Sequence, residues 1–225
     1  MSKNPFVLKD NKLKKDKPKF LKVLDFTGTV LIFLSVLGII LTFGPATSYE
    51  VKYQTKETVN KILEKSSLKS PLPEKEITPV NTDFSIVIPK IEASAAIVDN
   101  VDPFNEKEFL IALRRGVAHA KGTSYPGEIG NTYLFAHSTD AFYNVGRYNA
   151  VFYLIGKLDS GDQVDIYYKG VKFEYLVYDK MVVSPENVSY LKPIKAGVST
   201  LTLQTCYPPG TTLKRLVVLA QLKTS

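Results

Sequence analysis

The sequence predicts a mainly β fold, a small β-barrel with one or two short helices, and three observations support this prediction. Short apolar or alternating segments recur between residues 81 and 225, and turns that contain Gly or Pro separate them. Helix signals are sparse in the same region. The length of residues 81–225 suits one domain with its own hydrophobic core. Many short strands with little helix are typical of a small barrel.

The clearest strand signal surrounds Lys169-Gly170, where two alternating runs flank a turn and indicate a hairpin. One helix is expected after Asp102, because Asn105 and Glu108 have the spacing of a capping box and an apolar face follows them. A further helical turn is expected near residues 143–154. Strands are predicted at 84–88, 95–98, 132–136, 163–168, 171–178, 181–183, 200–205 and 213–222.

The net charge of +7 is concentrated at the start of the chain. Residues 1–24 contain eight lysines and two acids, whereas the rest of the chain is nearly neutral. Beyond residue 24 the sequence has no basic stripe with interleaved aromatic residues, so the charge does not indicate nucleic-acid binding. We interpret residues 1–24 as a basic cytoplasmic tail.

An apolar segment follows this tail. Residues Phe26–Phe43 carry no charge, and as a helix they span about 27 Å, enough for the apolar core of a bilayer. The lysines on the N-terminal side predict a cytoplasmic N-terminus and an extracytoplasmic C-terminal region. A cleaved signal peptide is the alternative, but the apolar run is long for one and Ala46-Thr47-Ser48 is a poor cleavage site. We therefore predict a single-pass transmembrane helix at 25–43.

Residues 44–80 are interpreted as an extracytoplasmic linker to the domain at 81–225. A weakly amphipathic helix is expected over Val51–Lys65. The prolines of Ser70–Pro73 and Pro79 then favour extended chain, because each proline disfavours helix at the residue before it.

Cys206 is the only cysteine of the chain and follows the predicted strand 200–205. An odd thiol in an exported domain indicates a reactive group or an intermolecular disulfide, and a buried inert thiol is the remaining interpretation. Alternation puts Leu201, Leu203 and Thr205 on one face and Cys206 on the other. We expect the leucines in the core and the thiol beside a groove.

A turn must follow Cys206, because Pro208 and Pro209 cannot continue a ladder. If the turn is centred between residues 210 and 211, Cys206 and Arg215 are opposite each other in an antiparallel pair, with Cβ atoms about 5 Å apart. The guanidinium then reaches a group bonded to the sulfur. A solvated charge on a strand is the other interpretation of Arg215.

A thiol nucleophile needs an acid/base partner, and His119 and His137 are the two histidines of the chain. His137 ends the apolar run 133–136, at a strand end where a side chain can enter a cleft, so we favour it over His119. One cysteine and two histidines do not form a ligand cluster with zinc spacing. The sequence therefore predicts neither a metal site nor a cofactor.

Taken together, these residues resemble the sortases, the membrane-anchored cysteine transpeptidases of bacterial surfaces. Residues 202–206, TLQTC, match the TLxTC signature of that family, and Arg215 matches its essential arginine on the next strand. Residues 88–91 are similar to the family's early strands. Residues 116–131 with Ala136-His137 are similar to the stretch that leads to its catalytic histidine.

The resemblance implies an eight-stranded sortase barrel and a thioacyl-enzyme intermediate. It implies Cys206 as the nucleophile, His137 as the acid/base, and Arg215 as the group that stabilises the oxyanion or holds the peptide. His119 then has a structural role. The substrate-binding residues implied in the same way are Thr205, Leu203 and Ala136.

The implied reaction cleaves an LPxTG-like C-terminal sorting signal of a surface protein and transfers that protein to an amine, from a peptidoglycan precursor or a pilin lysine. The alternative is a catalytically weak or inactive, membrane-tethered binding domain, which the complete His, Cys and Arg set disfavours. Asp102-Pro103-Phe104 follows the first strands, whereas the lid of pilin-polymerising sortases precedes the barrel. This difference favours a general protein-anchoring type, with the substrate-selecting loop within 184–198.

Overall fold

The computed structural model describes residues 19–65, 77–138 and 151–224. It divides into two compact units, Met1–Leu41 and Thr42–Ser225. Helix α1 (Lys19–Lys65) contributes to both units. A search of the described residues finds no helix that is both long and apolar enough to cross a membrane. The predicted tail 1–24 and the predicted anchor 25–43 lie partly outside the described residues, since residues 1–18 and the side chains of 19–25 and 39–49 are not described.

Eight strands of the second unit form a closed barrel, which confirms the predicted fold class. Their order around the barrel is β1-β2-β3-β4-β7-β8-β6-β5. Neighbouring strands are antiparallel except for the pairs β2/β3 and β4/β7, which are parallel. The strands are β1 (Phe84–Ile88), β2 (Ala93–Val101), β3 (Val117–Ala120), β4 (Gly130–Phe135), β5 (Gln163–Tyr168), β6 (Val171–Val183), β7 (Ser199–Tyr207) and β8 (Lys214–Leu222).

The core fills the barrel and extends outside it on one side. Strands β1 and β4 are buried along their whole length. Helix α2 (Glu106–Leu113) packs on β2 and β3, and the 3₁₀ turn Ile155–Lys157 packs on β8. Burial on both faces explains why Tyr133, Leu134 and Phe135 of β4 are consecutive apolar residues rather than alternating ones.

Helix α2 begins where the sequence predicts. Asn105 is its N-cap, and the backbone N–H of Glu108 donates to Asn105 Oδ1 at 3.4 Å. The Glu108 carboxylate reaches past the cap and accepts from the backbone N–H of Asp102 at 2.9 Å. The predicted capping residues therefore start the helix, with a longer return contact than a standard capping box has.

The structure corrects three local predictions. Strand β3 was not predicted, and residues 181–183 continue β6 past an irregularity at Val177/Asp179 instead of forming a separate strand. Residues 44–50, predicted as linker, belong to α1. Of the helical turn expected near 143–154, residues 143–150 lie outside the described part of the chain and 151–154 form a turn. Residues 66–76 of the predicted linker also lie outside it.

Candidate active site

The hairpin of β7 and β8 brings Cys206 and Arg215 together. The two residues are directly paired in the antiparallel ladder, as the turn position predicts. The turn between the strands is closed by the backbone N–H of Thr211, which donates to Pro208 O at 3.0 Å. Arg215, which is permanently charged, therefore lies on the strand next to the one that carries the thiol.

The parallel pair β4/β7 brings His137 to the same level of the barrel. Phe135 is paired with Gln204, and beyond the end of β4 the N–H of Ala136 still donates to Gln204 O at 3.1 Å. Thr205 Oγ1 then donates to Ala136 O at 2.9 Å. When this register is continued by one more residue, the backbone of His137 is level with that of Cys206. Cys206 and Arg215 are thus paired on neighbouring strands, and His137 follows the end of the strand on the other side of β7.

The residues on both sides of His137 are held in place. Ala136 is tied to β7 by the two hydrogen bonds above. Ser138 is buried, and its Oγ accepts from the backbone N–H of Gly210 at 3.4 Å. His137 itself is half-buried. Its backbone is therefore fixed against the β7–β8 hairpin, which is the element that carries the thiol.

A cavity of about 310 Å³ contains the free thiol of Cys206. Cys206 is half-buried, and the cavity is open on one side. Its lining combines the β7–β8 hairpin, the segment 153–157, Ser138 and one residue of α1. The lining residues are Glu50, Ser138, Tyr153, Leu154, Gly156, Lys157, Thr205, Cys206, Tyr207, Pro209 and Leu216.

Arg215 is oriented by the backbone of its own turn. Its Nη1 donates to Thr212 O at 3.0 Å and to Lys214 O at 3.1 Å. Its charge acts on Tyr133, a buried tyrosine of β4 whose hydroxyl donates to Gln204 Oε1. Burial raises the pKa of Tyr133 and the positive charge of Arg215 lowers it by a smaller amount. A positive potential therefore extends from Arg215 toward the β4/β7 pair.

The structure separates the two histidines. His119 on β3 is only 1% exposed, and its Nδ1 is 2.9 Å from Asp99 Oδ1. Its Nε2 is 3.0 Å from Thr123 Oγ1. The described lining of the cavity around Cys206 includes neither His119 nor His137, so burial and hydrogen bonding are what distinguish the two. A buried histidine with a partner on each ring nitrogen suits the structural role that the resemblance implies.

The three predicted substrate-binding residues have different surroundings. Thr205 lines the cavity, and Ala136 is buried next to it through the hydrogen bond described above. Leu203 is fully buried in the core, opposite Leu134 and Val218. Its side chain has no exposed surface, and its contact with substrate stays a prediction.

One part of the cavity lining, the charged pair Glu50 and Lys157, was not predicted from the sequence. Glu50 and Lys157 both line the cavity, and Lys157 Nζ donates to Glu50 Oε1 at 2.7 Å. The two residues are 107 positions apart, so no local pattern connects them. The helical turn expected near 143–154 ends before Lys157, and the sequence carries no signal that places residues 155–157 beside the thiol.

A larger cavity of about 690 Å³ lies between α1, β1 and β5, and its described lining contains no cysteine or histidine. Several of its charged residues form ion pairs. Lys90 binds Asp159 at 2.8 Å and Asp162 at 2.7 Å, and Lys172 binds Asp165 at 2.9 Å. Within residues 19–65, 77–138 and 151–224 no group of three or more His, Cys, Asp or Glu side chains could hold a metal ion.

The closed eight-stranded barrel defines a sortase-type fold. The cysteine, the arginine and the histidine at the same end of neighbouring strands define a candidate thiol site. The sequence profile of the sortase domain matches residues 86–223, and the chain belongs to the sortase family, whose members are cysteine transpeptidases. Sortase D of Bacillus subtilis is 29% identical over 134 residues, which cover 58% of this chain and 59% of that protein. The chain thus aligns with less than two thirds of this relative.

Solved structures agree with the assignment. Sortase C of Clostridium perfringens, determined with a C-terminal cell wall sorting motif, is 27% identical with a TM-score of 0.54. That match covers 78% of this chain and 90% of the other. Sortase C-1 of Actinomyces oris is 25% identical with a TM-score of 0.54, and the match covers 76% and 99% of the two chains. The similarity extends over the whole barrel and leaves the subclass open.

Proposed function

We propose that this chain is a cysteine transpeptidase that cleaves an LPxTG-like C-terminal sorting signal and transfers the shortened protein to an amine. The observation that carries the proposal is the direct pairing of Cys206 with Arg215 on β7 and β8, next to the end of β4 that precedes His137. Membership of the sortase family supports the reaction class.

The proposed reaction has two steps. The Cys206 thiolate attacks the carbonyl carbon of the scissile peptide bond, a C–S bond forms, the C–N bond breaks, and protonated His137 gives its proton to the leaving amine. In the second step an amine attacks the thioester, the C–N bond forms, the C–S bond breaks, and neutral His137 takes a proton from the amine. The electron pair of the C–S bond returns to Cys206 as thiolate.

Arg215 has the charge that both steps require. Each step passes through a tetrahedral oxyanion, and a fixed cation beside the sulfur stabilises that charge better than it stabilises the neutral carbonyl. Thr205 is proposed as a positioning residue, since its hydroxyl holds the carbonyl of Ala136 and thereby the backbone before His137.

The proposal includes a location at the cell surface with a membrane anchor at 25–43 and a cytoplasmic N-terminus. Its support is the uncharged run Phe26–Phe43 behind a lysine-rich segment. Phe26, Leu31 and Phe33 are exposed along α1, which suits contact with lipid. The proposed partners are surface proteins with a sorting signal and an amine from a peptidoglycan precursor or a pilin lysine.

The test uses the purified 225-residue chain, an LPxTG-like peptide and hydroxylamine. We expect conversion to the peptide hydroxamate, measured by mass spectrometry, and loss of this product in Cys206→Ala. Product formation by Cys206→Ala would refute the assignment of the nucleophile. Peptide binding without turnover, together with a thiol that does not react with alkylating probes, would favour the tethered binding domain instead.

A further inference from the structure

One segment of α1, residues 50–59, contributes Glu50 to the cavity of Cys206 and is called the arm below. Tyr53 of the arm is half-buried against the barrel core, and Lys157 Nζ lies 5.6 Å from the centre of its ring. Lys52 and Lys56 are one helical turn apart and both bind Glu92, at 2.7 and 2.9 Å. Charge pairs and one aromatic contact therefore dock the arm on the barrel.

The docked arm places one carboxylate inside the cavity. Glu50 and Lys157 line the same space as Cys206, and they form an ion pair with an N–O distance of 2.7 Å. Each side chain is about one-third exposed, at 34% and 35%. Hydrogen bonds from Gln54 and from Lys157 lower the pKa of Glu50, so this carboxylate is ionised at neutral pH.

Without the Glu50 carboxylate, the ammonium group of Lys157 would give the cavity a positive charge. Its ammonium is carried by the rigid 3₁₀ turn Ile155–Lys157, and the pairing with Glu50 raises its pKa. Arg215 adds a second positive charge on β8, where it is paired with Cys206 in the ladder. A primary amine that approaches the thioester is itself an ammonium in neutral solution, so an unpaired Lys157 would repel it.

We propose that Glu50 is a specificity-determining residue of the acyl-acceptor site: it cancels the charge of Lys157 beside Cys206 and thereby admits acceptor amines in their cationic form. The inference deepens the proposed function and rests on it for the identity of the acceptor. An ammonium in the cavity must still release one proton to water before its nitrogen attacks. The ion pair therefore governs entry of the acceptor and not the chemical step.

The first test measures the charge of the cavity through its only thiol. The purified chain is alkylated with iodoacetamide, which is neutral, and with iodoacetate, which is an anion, at low ionic strength. The ratio of the iodoacetate rate to the iodoacetamide rate should rise about two- to sixfold in Glu50→Gln and fall by a similar factor in Lys157→Gln, as expected for one charge at roughly 8 Å in a partly aqueous medium. The double variant should return to the wild-type ratio.

Two further variants distinguish the effect of the Glu50–Lys157 pair from the effect of removing any carboxylate. Glu174→Gln removes a carboxylate of similar exposure that is paired with Lys223 near the opposite end of β8, and it should leave the ratio unchanged. Glu92→Gln loosens the arm without touching the cavity, and it should shift the ratio in the same direction as Glu50→Gln. A wild-type ratio in Glu92→Gln would overturn the statement that Lys52 and Lys56 hold Glu50 in place. The shifts should shrink in about 1 M salt, where the Debye length is about 3 Å.

The second test compares acceptors. In Glu50→Gln the KM for glycinamide, a cation, should rise about two- to sixfold with unchanged kcat, whereas hydroxylamine, which is uncharged at neutral pH, should be used as before. Identical alkylation ratios in wild type, Glu50→Gln and Lys157→Gln would overturn the inference, as would shifts of both single variants in one direction. Alkylation needs only the thiol, so the predicted ratios without any turnover of peptide would refute the proposed function and keep the charge assignment.

Discussion

The hydrogen bond from Thr205 to Ala136 leads to a specific prediction about stability and activity together. Thr205 is 3% exposed, and its Oγ1 donates to Ala136 O at 2.9 Å. Thr205→Val keeps the shape of the side chain and leaves that buried carbonyl without this donor. The free energy of unfolding should fall by about 1–3 kcal/mol. For a chain of this size the melting temperature should fall by about 2–12 °C.

The same change should loosen the backbone before His137. Displacement of a catalytic group by about 1 Å costs about 10²-fold, so we expect kcat for hydroxamate formation to fall about ten- to a hundredfold. Urea unfolding followed by circular dichroism gives the first quantity, and the peptide assay gives the second. Thr205→Ser retains the hydroxyl and should recover most of both.

Thr202→Val is the matched control. Thr202 is fully buried on the same strand, and its Oγ1 donates to Asn131 Oδ1 at 3.0 Å, further from the cavity. It should lose about 0.5–1.5 kcal/mol of stability with kcat unchanged. Wild-type kcat in Thr205→Val, or an equal loss of kcat in Thr202→Val, would refute the positioning role of Thr205.

Three other changes test the remaining contacts. Arg215→Lys keeps the positive charge but loses the planar guanidinium that the turn carbonyls orient. Hydroxamate formation should fall about 10²-fold while alkylation of the thiol persists. Activity equal to that of the wild type would argue against oxyanion stabilisation by Arg215. Leu203→Ala should lower the free energy of unfolding by about 2–5 kcal/mol with the KM for peptide unchanged, and a raised KM in a fully stable variant would instead favour substrate contact. Hydrogen bonds from Lys52 and then Lys56 lower the pKa of Glu92 from 4.5 to about 2, so the stability that Glu92 contributes is present above about pH 4.5 and lost as the pH falls toward 2. The difference in unfolding free energy between wild type and Glu92→Gln should therefore close over that range, and a difference that persists at pH 2 would contradict the ion pairs.

Local chemistry explains which parts of the site could be predicted from the sequence. The prolines after Cys206 force a turn whose centre determines the pairing with Arg215, so that contact needs no knowledge of the rest of the fold. The neighbour on the other side of β7 could not be predicted in this way. Parallel pairing of β4 with β7 joins strands that are distant in the chain, and an apolar run does not specify its partner.

The missed elements have equally physical reasons. Strand β3 has four residues, all buried, which is too short for a period to be visible. Strands were predicted separately at 171–178 and 181–183, but β6 continues through Asp179 and Lys180. Its register shifts between Val177 and Asp179, and Lys180 Nζ donates to Gly156 O and Leu158 O. The Glu50–Lys157 pair depends on how α1 docks, and neither residue carries a local signal for that contact.

The parallel pairing of β4 with β7 has a consequence for how this enzyme scaffold can change. Two adjacent parallel strands cannot be joined by a tight turn, so residues 136–198 leave one end of the pair and return at the other. The hydrogen bonds that align His137 with Cys206 lie between the ends of β4 and β7, and they do not depend on the length of the connecting segment. The last part of this connection, 184–198, is mostly loop with one 3₁₀ turn. We predict that insertions and exchanges in 184–198 change the peptide that is accepted and leave the pairing of Cys206 with Arg215 unchanged.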